Sequence, residues 1–226
     1  IRALSSLFEI NLDQSTIVKI AHCIENDFVG VGGGVMDQFV SVYGATDKAL
    51  FLNTMNNDYK LISLFDDYNF QIIDSGVKRI LSDSAFNDRK EMCNQSAEKM
   101  GLKYLCNKDK IDEKDKDLLS NSEFKVSRHV IEENIRSKKG SEALLNNDPK
   151  LFGELMTQSH NSLKNDYAVS CSELDQLVQL CNEYGAMGAK LTGAGFGGAI
   201  VALVKNDLVE GLKKYIVKNY SNAKFI

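Results

Sequence analysis

In Gly30-Val-Gly-Gly-Gly-Val-Met-Asp-Gln-Phe39 a run of glycines leads into a short apolar-patterned helix, with one carboxylate, Asp37, in its first turn. Glycine admits backbone conformations closed to other residues and lets another molecule come close to the main chain. A carboxylate in the positive first turn of a helix can orient a hydroxyl or accept its proton, or it can merely complement the helix dipole. The residues alone leave both readings open. Glu25 is the second candidate. It stands four residues after Ala21, at the edge of an apolar stripe of Ile17, Ile20, Ala21, Ile24 and Phe28 at helical spacing. A carboxylate there is either solvated at the rim or held inward by a cation.

These residues need elements to hold them. Residues 1 to 8 read as the end of a helix closed at Asn11-Leu-Asp13, and the stripe predicts a second helix from Ile17 to Phe28. Met36, Phe39, Val40 and Tyr43 share one face of a third, which Gly44 ends. Ala49 to Asn53 is a predicted strand followed by a turn at Asn56-Asn57-Asp58. Lys60 to Leu64 and Phe70 to Asp74 are predicted as two more strands, paired as a hairpin across Asp66-Asp67-Tyr68-Asn69.

A helix follows from Ser84 to Met100, and the Lys- and Asp-rich residues 107 to 119 read as a solvated surface segment. Residues 127 to 147 are helical in composition with a break expected at Gly140. Asp148-Pro149 restarts a helix with an N-cap and a first-turn proline. Ser170-Cys-Ser-Glu173 has the spacing of a capping box, opening a helix with Leu174, Leu177, Val178 and Cys181 on one face and Gly185 at its end. Ala189 to Val204 reads as strand, glycine turn, strand; helix 207 to 218 and an edge strand at Lys224-Phe-Ile226 close the chain. The alternation predicts an α+β sheet with helices on one face.

At 226 residues the chain can bury one large core or two small ones. No apolar run approaches the length of a bilayer span. The net charge of −4 is spread without a basic block, which argues against nucleic-acid or anionic-membrane partners. Five cysteines without a CxxC pair or zinc spacing fit reduced thiols and a cytoplasmic protein. Ile1-Arg-Ala-Leu-Ser-Ser-Leu-Phe8 has no initiator Met, N-cap or signal-peptide pattern, so a piece of a longer protein is expected.

GVGGGVMDQF (30–39) resembles the catalytic-aspartate segment of galactokinases, within the GHMP superfamily that also holds homoserine, mevalonate and phosphomevalonate kinases. LTGAGFGGA (191–199) resembles the C-terminal glycine motif of the same family. Between them Ser75–Phe86, Ser127–Asn134, Ser159–Tyr167, Val169-Ser170 and Glu173-Leu-Asp175 match family landmarks in the right order.

The resemblance implies a GHMP-kinase α+β fold. Residues 1–57 would be the C-terminal part of a ribosomal-S5-domain-2-like lobe, and 58–226 a ferredoxin-like α/β C-terminal lobe. It implies ATP-dependent phosphorylation of the anomeric hydroxyl of galactose, with ATP and Mg²⁺ as cofactors and small-molecule substrates as partners. Asp37 would be the catalytic aspartate, orienting the sugar hydroxyl and taking its proton late, since its reference pKa of about 3.9 makes it a weak base. Glu25 would bind Mg²⁺, an ion that takes one or two carboxylates plus substrate phosphates and keeps several waters. Gly34, Met36 and Phe86 would line the sugar side. Gly193, Gly195, Gly197 and Gly198 would shape a turn beside sugar and nucleotide, with a tight structural hairpin as the alternative. Lys78 aligns with a family arginine and is either a phosphate contact or a surface cation.

Departures from the family pattern qualify this. The family's Arg-Glu-His-Asp sugar cluster, its glycine- and serine-rich phosphate loop and the second Mg²⁺ ligand have no counterpart in this chain, which is therefore expected to be inert alone. Phe86 replaces a usual tyrosine; a lost neutral hydrogen bond costs about 1 kcal/mol and loosens sugar choice, for instance toward N-acetylgalactosamine. Asn53 also departs from the usual acidic pair. A sugar- and ATP-binding sensor without turnover is the alternative function; a superfamily kinase of a non-sugar alcohol matches the MDQF segment less well. Oligomeric state is not legible.

Overall fold

The computed structural model describes residues 1–226 apart from Val31 and 79–81, and describes only the backbone at 82–86. The chain forms two compact units, Ile1–Leu64 and Phe65–Ile226. The boundary expected after residue 57 falls inside a hairpin. Strands β1 (Lys48–Asn53) and β2 (Asp58–Ser63) pair antiparallel along their whole length, Lys48 opposite Ser63 and Asn53 opposite Asp58. The connection between them is built by asparagines. Asn57 takes a left-handed conformation (φ 63°), and the Asn53 and Asn56 side chains accept from the Met55 and Asp58 amides at 3.0 Å each. The turn returns the chain onto β1, so the predicted pairing of Lys60–Leu64 with Phe70–Asp74 does not form.

In the first unit, α1 (Arg2–Leu7) is followed by α2 (Gln14–Cys23), which Asp13 caps by accepting the Thr16 amide at 2.8 Å. The helix predicted through Phe28 changes character at Ile24. Residues Ile24–Val29 form a π-helix, closed by Gly30 at φ 82°. Its i→i+5 hydrogen bonds put an extra residue in each ring, so the α-helical period is lost and Ile24 (45% exposed) and Phe28 (89%) leave the stripe. Helix α3 (Met36–Tyr43) follows. Of its predicted face only Phe39 is buried; its ring stacks on Tyr43 at 4.8 Å and meets Tyr59 of β2 at 5.8 Å.

The second unit holds β3 (Tyr68–Asp74), α4 (Ser82–Lys99), α5 (Asn121–Leu145), α6 (Pro149–Asn165), α7 (Ser172–Tyr184), β4 (Gly188–Thr192), β5 (Ala199–Lys205), α8 (Val209–Asn219) and β6 (Lys224–Phe225). The antiparallel sheet runs β4-β5-β3-β6, so the connectivity is the split βαβ of ferredoxin-like sheets with four helices in the first crossover.

One face of this sheet carries a core of Ile73, Ala189, Leu191, Ile200, Ala202 and Val204 with Leu174, Leu177 and Cys181 of α7 and Leu212 and Ile216 of α8. Each fully buried leucine or isoleucine there contributes roughly 2 kcal/mol. Residues one step out of phase point to the other face. There Phe70 of β3 packs edge-on against Phe152 of α6 at 5.7 Å, and Lys190 of β4 meets α5 and α6. Helices thus pack on both faces, where one was predicted.

Three local expectations are corrected. Helix α5 runs unbroken through Gly140, which is buried with the Phe152 ring 3.6 Å from where a Cβ would stand, so the small residue serves helix packing. The N-cap of α7 is Cys171 without a side-chain cap, because Ser170 Oγ instead donates to Asp175 at 2.6 Å. Within 107–119, Asp115 is buried; it accepts from the Asp112 amide at 2.8 Å and Lys108 at 2.9 Å.

Candidate active site

In the first unit Asp37 sits exposed in the first turn of α3, where no side chain caps the helix. Its carboxylate therefore lies at an uncapped, positive helix end. Asp37 and Glu25 line one groove of about 560 Å³, together with Arg2, Gln38, Ser41 and apolar residues of α1 and α2. The π-helix places Glu25 there. Glu25 is solvent-exposed, as the rim reading has it, yet it is not free: the Gln38 amide Nε2 donates to its Oε2. Gln38 itself is buried (6% exposed), and its Oε1 has no hydrogen-bond partner among the described residues.

Gly34 lies elsewhere. It lines a second groove of about 590 Å³ on the other side of α3, with Ser15, Lys19, His22, Thr54 and Asn57. Met36 is 61% exposed at the start of α3. The groove thus brings Asp37 and Glu25 together and leaves Gly34 outside it. No set of three or more potential metal ligands occurs among the described residues. Glu25 with one carboxylate oxygen tied down nevertheless suits Mg²⁺, which accepts a single carboxylate when phosphate oxygens and waters complete its shell.

The remaining candidates belong to the second unit. Four glycines of the turn between β4 and β5 have positive φ: Gly193 (76°), Gly195 (81°), Gly197 (120°) and Gly198 (78°), and Phe196 shares the conformation at 58°. The turn is clamped. Phe196 N donates to Val169 O at 2.7 Å, Gly198 N to Val77 O at 3.1 Å, and both Ser75 N and Ser75 Oγ donate to Gly198 O, at 2.8 and 2.7 Å. Lys78 is exposed beside that strap. The backbone of Phe86 lies in α4, and its side chain is outside the described residues.

The landmark residues of α5 and α6 form a half-buried polar network with β4, the strand that leads into this turn. Glu133 accepts from Ser159 Oγ, from Arg136 Nε at 2.7 Å and from Lys190 Nζ at 3.1 Å. Burial alone would raise its carboxyl, but Lys190, Ser159 and Arg136 outweigh burial and hold it down to about 2. His160 Nδ1 accepts the Leu191 amide at 3.3 Å, which leaves the proton on Nε2, 3.3 Å from Asp175. His129 is buried against Ser162 (3.0 Å) and the Tyr167 ring, and burial lowers its imidazole to about 4.

Sequence reasoning missed Gln38 and Arg2. Neither has a spacing signal. Gln38 counts only because the π-helix brings Glu25 onto it, and Arg2 only because α1 borders the groove.

Comparison with known proteins gives a consistent result. Residues 1–45 match a family model described as "GHMP kinases N terminal domain", and 141–222 one described as "GHMP kinases C terminal". The chain is 37% identical to a galactokinase of Thermotoga petrophila over 96% of its own length and 62% of the relative's. It is 38% identical to one of Streptococcus mutans over 96% and 58%. The structure superposes on Lactococcus lactis galactokinase, solved with galactose, with a TM-score of 0.92 at 31% identity, covering 99% of this chain and 61% of that one. The mevalonate kinase of L. major shares the fold at 24% identity and a TM-score of 0.61. The chain thus spans about three-fifths of the length of the relatives it matches.

Proposed function

The chain belongs to the GHMP kinase family, and from that premise we propose that the protein it represents transfers the γ-phosphoryl group of ATP to the anomeric hydroxyl of galactose. The supporting observation is the shared groove: one carboxylate in the positive first turn of α3 and a second, amide-held carboxylate beside it. Phosphoryl transfer asks little covalent chemistry of a protein. It needs the nucleophile aimed in line and the charge on the transferred group stabilised. Asp37 does the first, accepting the sugar hydroxyl's hydrogen bond and taking its proton as the phosphoryl group arrives. Glu25 would hold Mg²⁺, which supplies charge neutralisation at the phosphates.

Gly34 and Met36 are assigned to the sugar, and Gly193, Gly195, Gly197 and Gly198 to a turn facing sugar and nucleotide. Phenylalanine carries no hydroxyl, so position 86 lacks the donor of the family's usual tyrosine and sugar choice is the open variable. A cytoplasmic location fits the five free thiols; no helix of the described residues is long and apolar enough to cross a membrane. The test is a phosphorylation assay of the full-length protein with ATP over a panel including galactose and N-acetylgalactosamine, the product identified as a 1-phosphate by ³¹P NMR. Binding of sugar and ATP without product would identify the sensor instead.

A further inference from the structure

Gln38 adjoins Asp37 and lines the same groove, but its side chain is engaged with Glu25. It is buried, its Nε2 donates to Glu25 Oε2, and its Oε1 is enclosed without a hydrogen-bond partner among the described residues. The amide orientation has a physical cause. A carboxylate only accepts, so Gln38 must turn its NH₂ toward Glu25, and this leaves the amide oxygen on the unpartnered side. Enclosing an unpaired amide oxygen costs free energy that an apolar side chain of the same length would not. Packing alone therefore does not account for a glutamine at this position.

We propose that Gln38 is the positioning residue of the Glu25 metal ligand: it ties one carboxylate oxygen to α3 and presents the other, single oxygen to the groove. This rests on the reading of Glu25 as the Mg²⁺ ligand. Glu25 needs such a tie because it stands exposed on a short π-helix, where its side chain would otherwise sample many rotamers. Mg²⁺ requires near-ideal octahedral geometry, so a carboxylate held in one orientation is worth more to it than a freely rotating one. The link also couples the two acids. Asp37 and Gln38 are consecutive in the first turn of α3, so a metal drawn to Glu25 is registered to the helix that carries Asp37.

The test uses the full-length protein and a readout independent of turnover, the dissociation constant of Mn²⁺ measured by electron paramagnetic resonance in the presence of a non-hydrolysable ATP analogue. Gln38→Met keeps the length and removes the donor; Gln38→Asn keeps an amide too short to reach Glu25 and serves if the first variant does not fold. Either is expected to weaken Mn²⁺ binding about tenfold. In a Glu25→Gln background the same change should have no further effect. Unchanged Mn²⁺ affinity in the Gln38 variant, no response to Glu25→Gln, or additive losses in the double variant would each overturn the proposal. Sugar phosphorylation by the wild type is assayed separately, so failure of the galactose reading leaves the Mn²⁺ comparison intact.

Discussion

The two glycine-rich stretches look alike in sequence and differ in what surrounds them. A Cβ added at Gly30 or Gly34 would meet nothing within 4 Å. One added at Gly195 would run into the Val169 carbonyl oxygen, and one at Gly197 would stand 2.8 Å from Val77 O. The second stretch needs glycine for reasons internal to its own unit: positive φ at four glycines and a backbone pressed against two neighbouring segments. At Gly34 neither reason applies, since its φ is not positive and its surroundings are open. An open glycine beside a groove is required by nothing in its own fold, which leaves its smallness available to an approaching molecule. A clamped glycine serves the fold first, whatever else its turn touches.

That contrast can be broken at several points. The largest effect is expected at Asp37. In the full-length protein Asp37→Asn should lower kcat by about a thousandfold, within the range for a lost general base, while the thermal midpoint holds. A falling midpoint with kcat preserved would make the first stretch structural. Gly195→Ala should do the reverse, removing about 3 kcal/mol of unfolding free energy by urea titration, because a Cβ there is both strained and blocked. Normal stability in that variant would dissolve the distinction.

Acid should weaken the second unit next. His129 is held neutral to about 4 by burial, whereas the unfolded chain takes up the proton near 6.5. Between those values the unfolded state binds more protons, so stability is full above pH 6.5 and declines toward pH 4. The expected loss from pH 7 to pH 5 is about 2 kcal/mol. Lowered basicity at buried His160 adds in the same direction. Urea midpoints at the two pH values measure this, and His129→Phe should flatten the difference. Below pH 4.5 the Glu133 carboxyl, held to about 2, contributes a further decline. The smallest effect belongs to Gly34→Ala: stability within about 0.5 kcal/mol of wild type, with a raised KM for sugar as its only trace.

Much of the second unit was legible in advance. Asp148-Pro149 starts α6 as predicted, with Asp148 accepting the Leu151 amide at 3.0 Å, and Leu174, Leu177, Val178 and Cys181 are buried on α7. These are local signals, a cap and a 3.6-residue period, that neighbouring residues suffice to set. The capping box at Ser170 failed because Asp175 offered the hydroxyl a stronger acceptor. The hairpin between residues 60 and 74 failed because the asparagine turn pairs β2 with β1, while β3 takes its partner β5 from far along the chain.

What the sequence carried by itself was the resemblance to the GHMP kinases, the order of most elements and two candidate acids, since these are written in residue types and short spacings. Only the tertiary structure decided how Glu25 is held. No periodicity predicts that Ile24–Val29 winds as a π-helix, nor that the turn it makes carries a carboxylate onto the amide of Gln38, thirteen residues away. It also decided that the late glycines are clamped while Gly34 is open, because a glycine records the absence of a side chain and not the neighbour that forbids one.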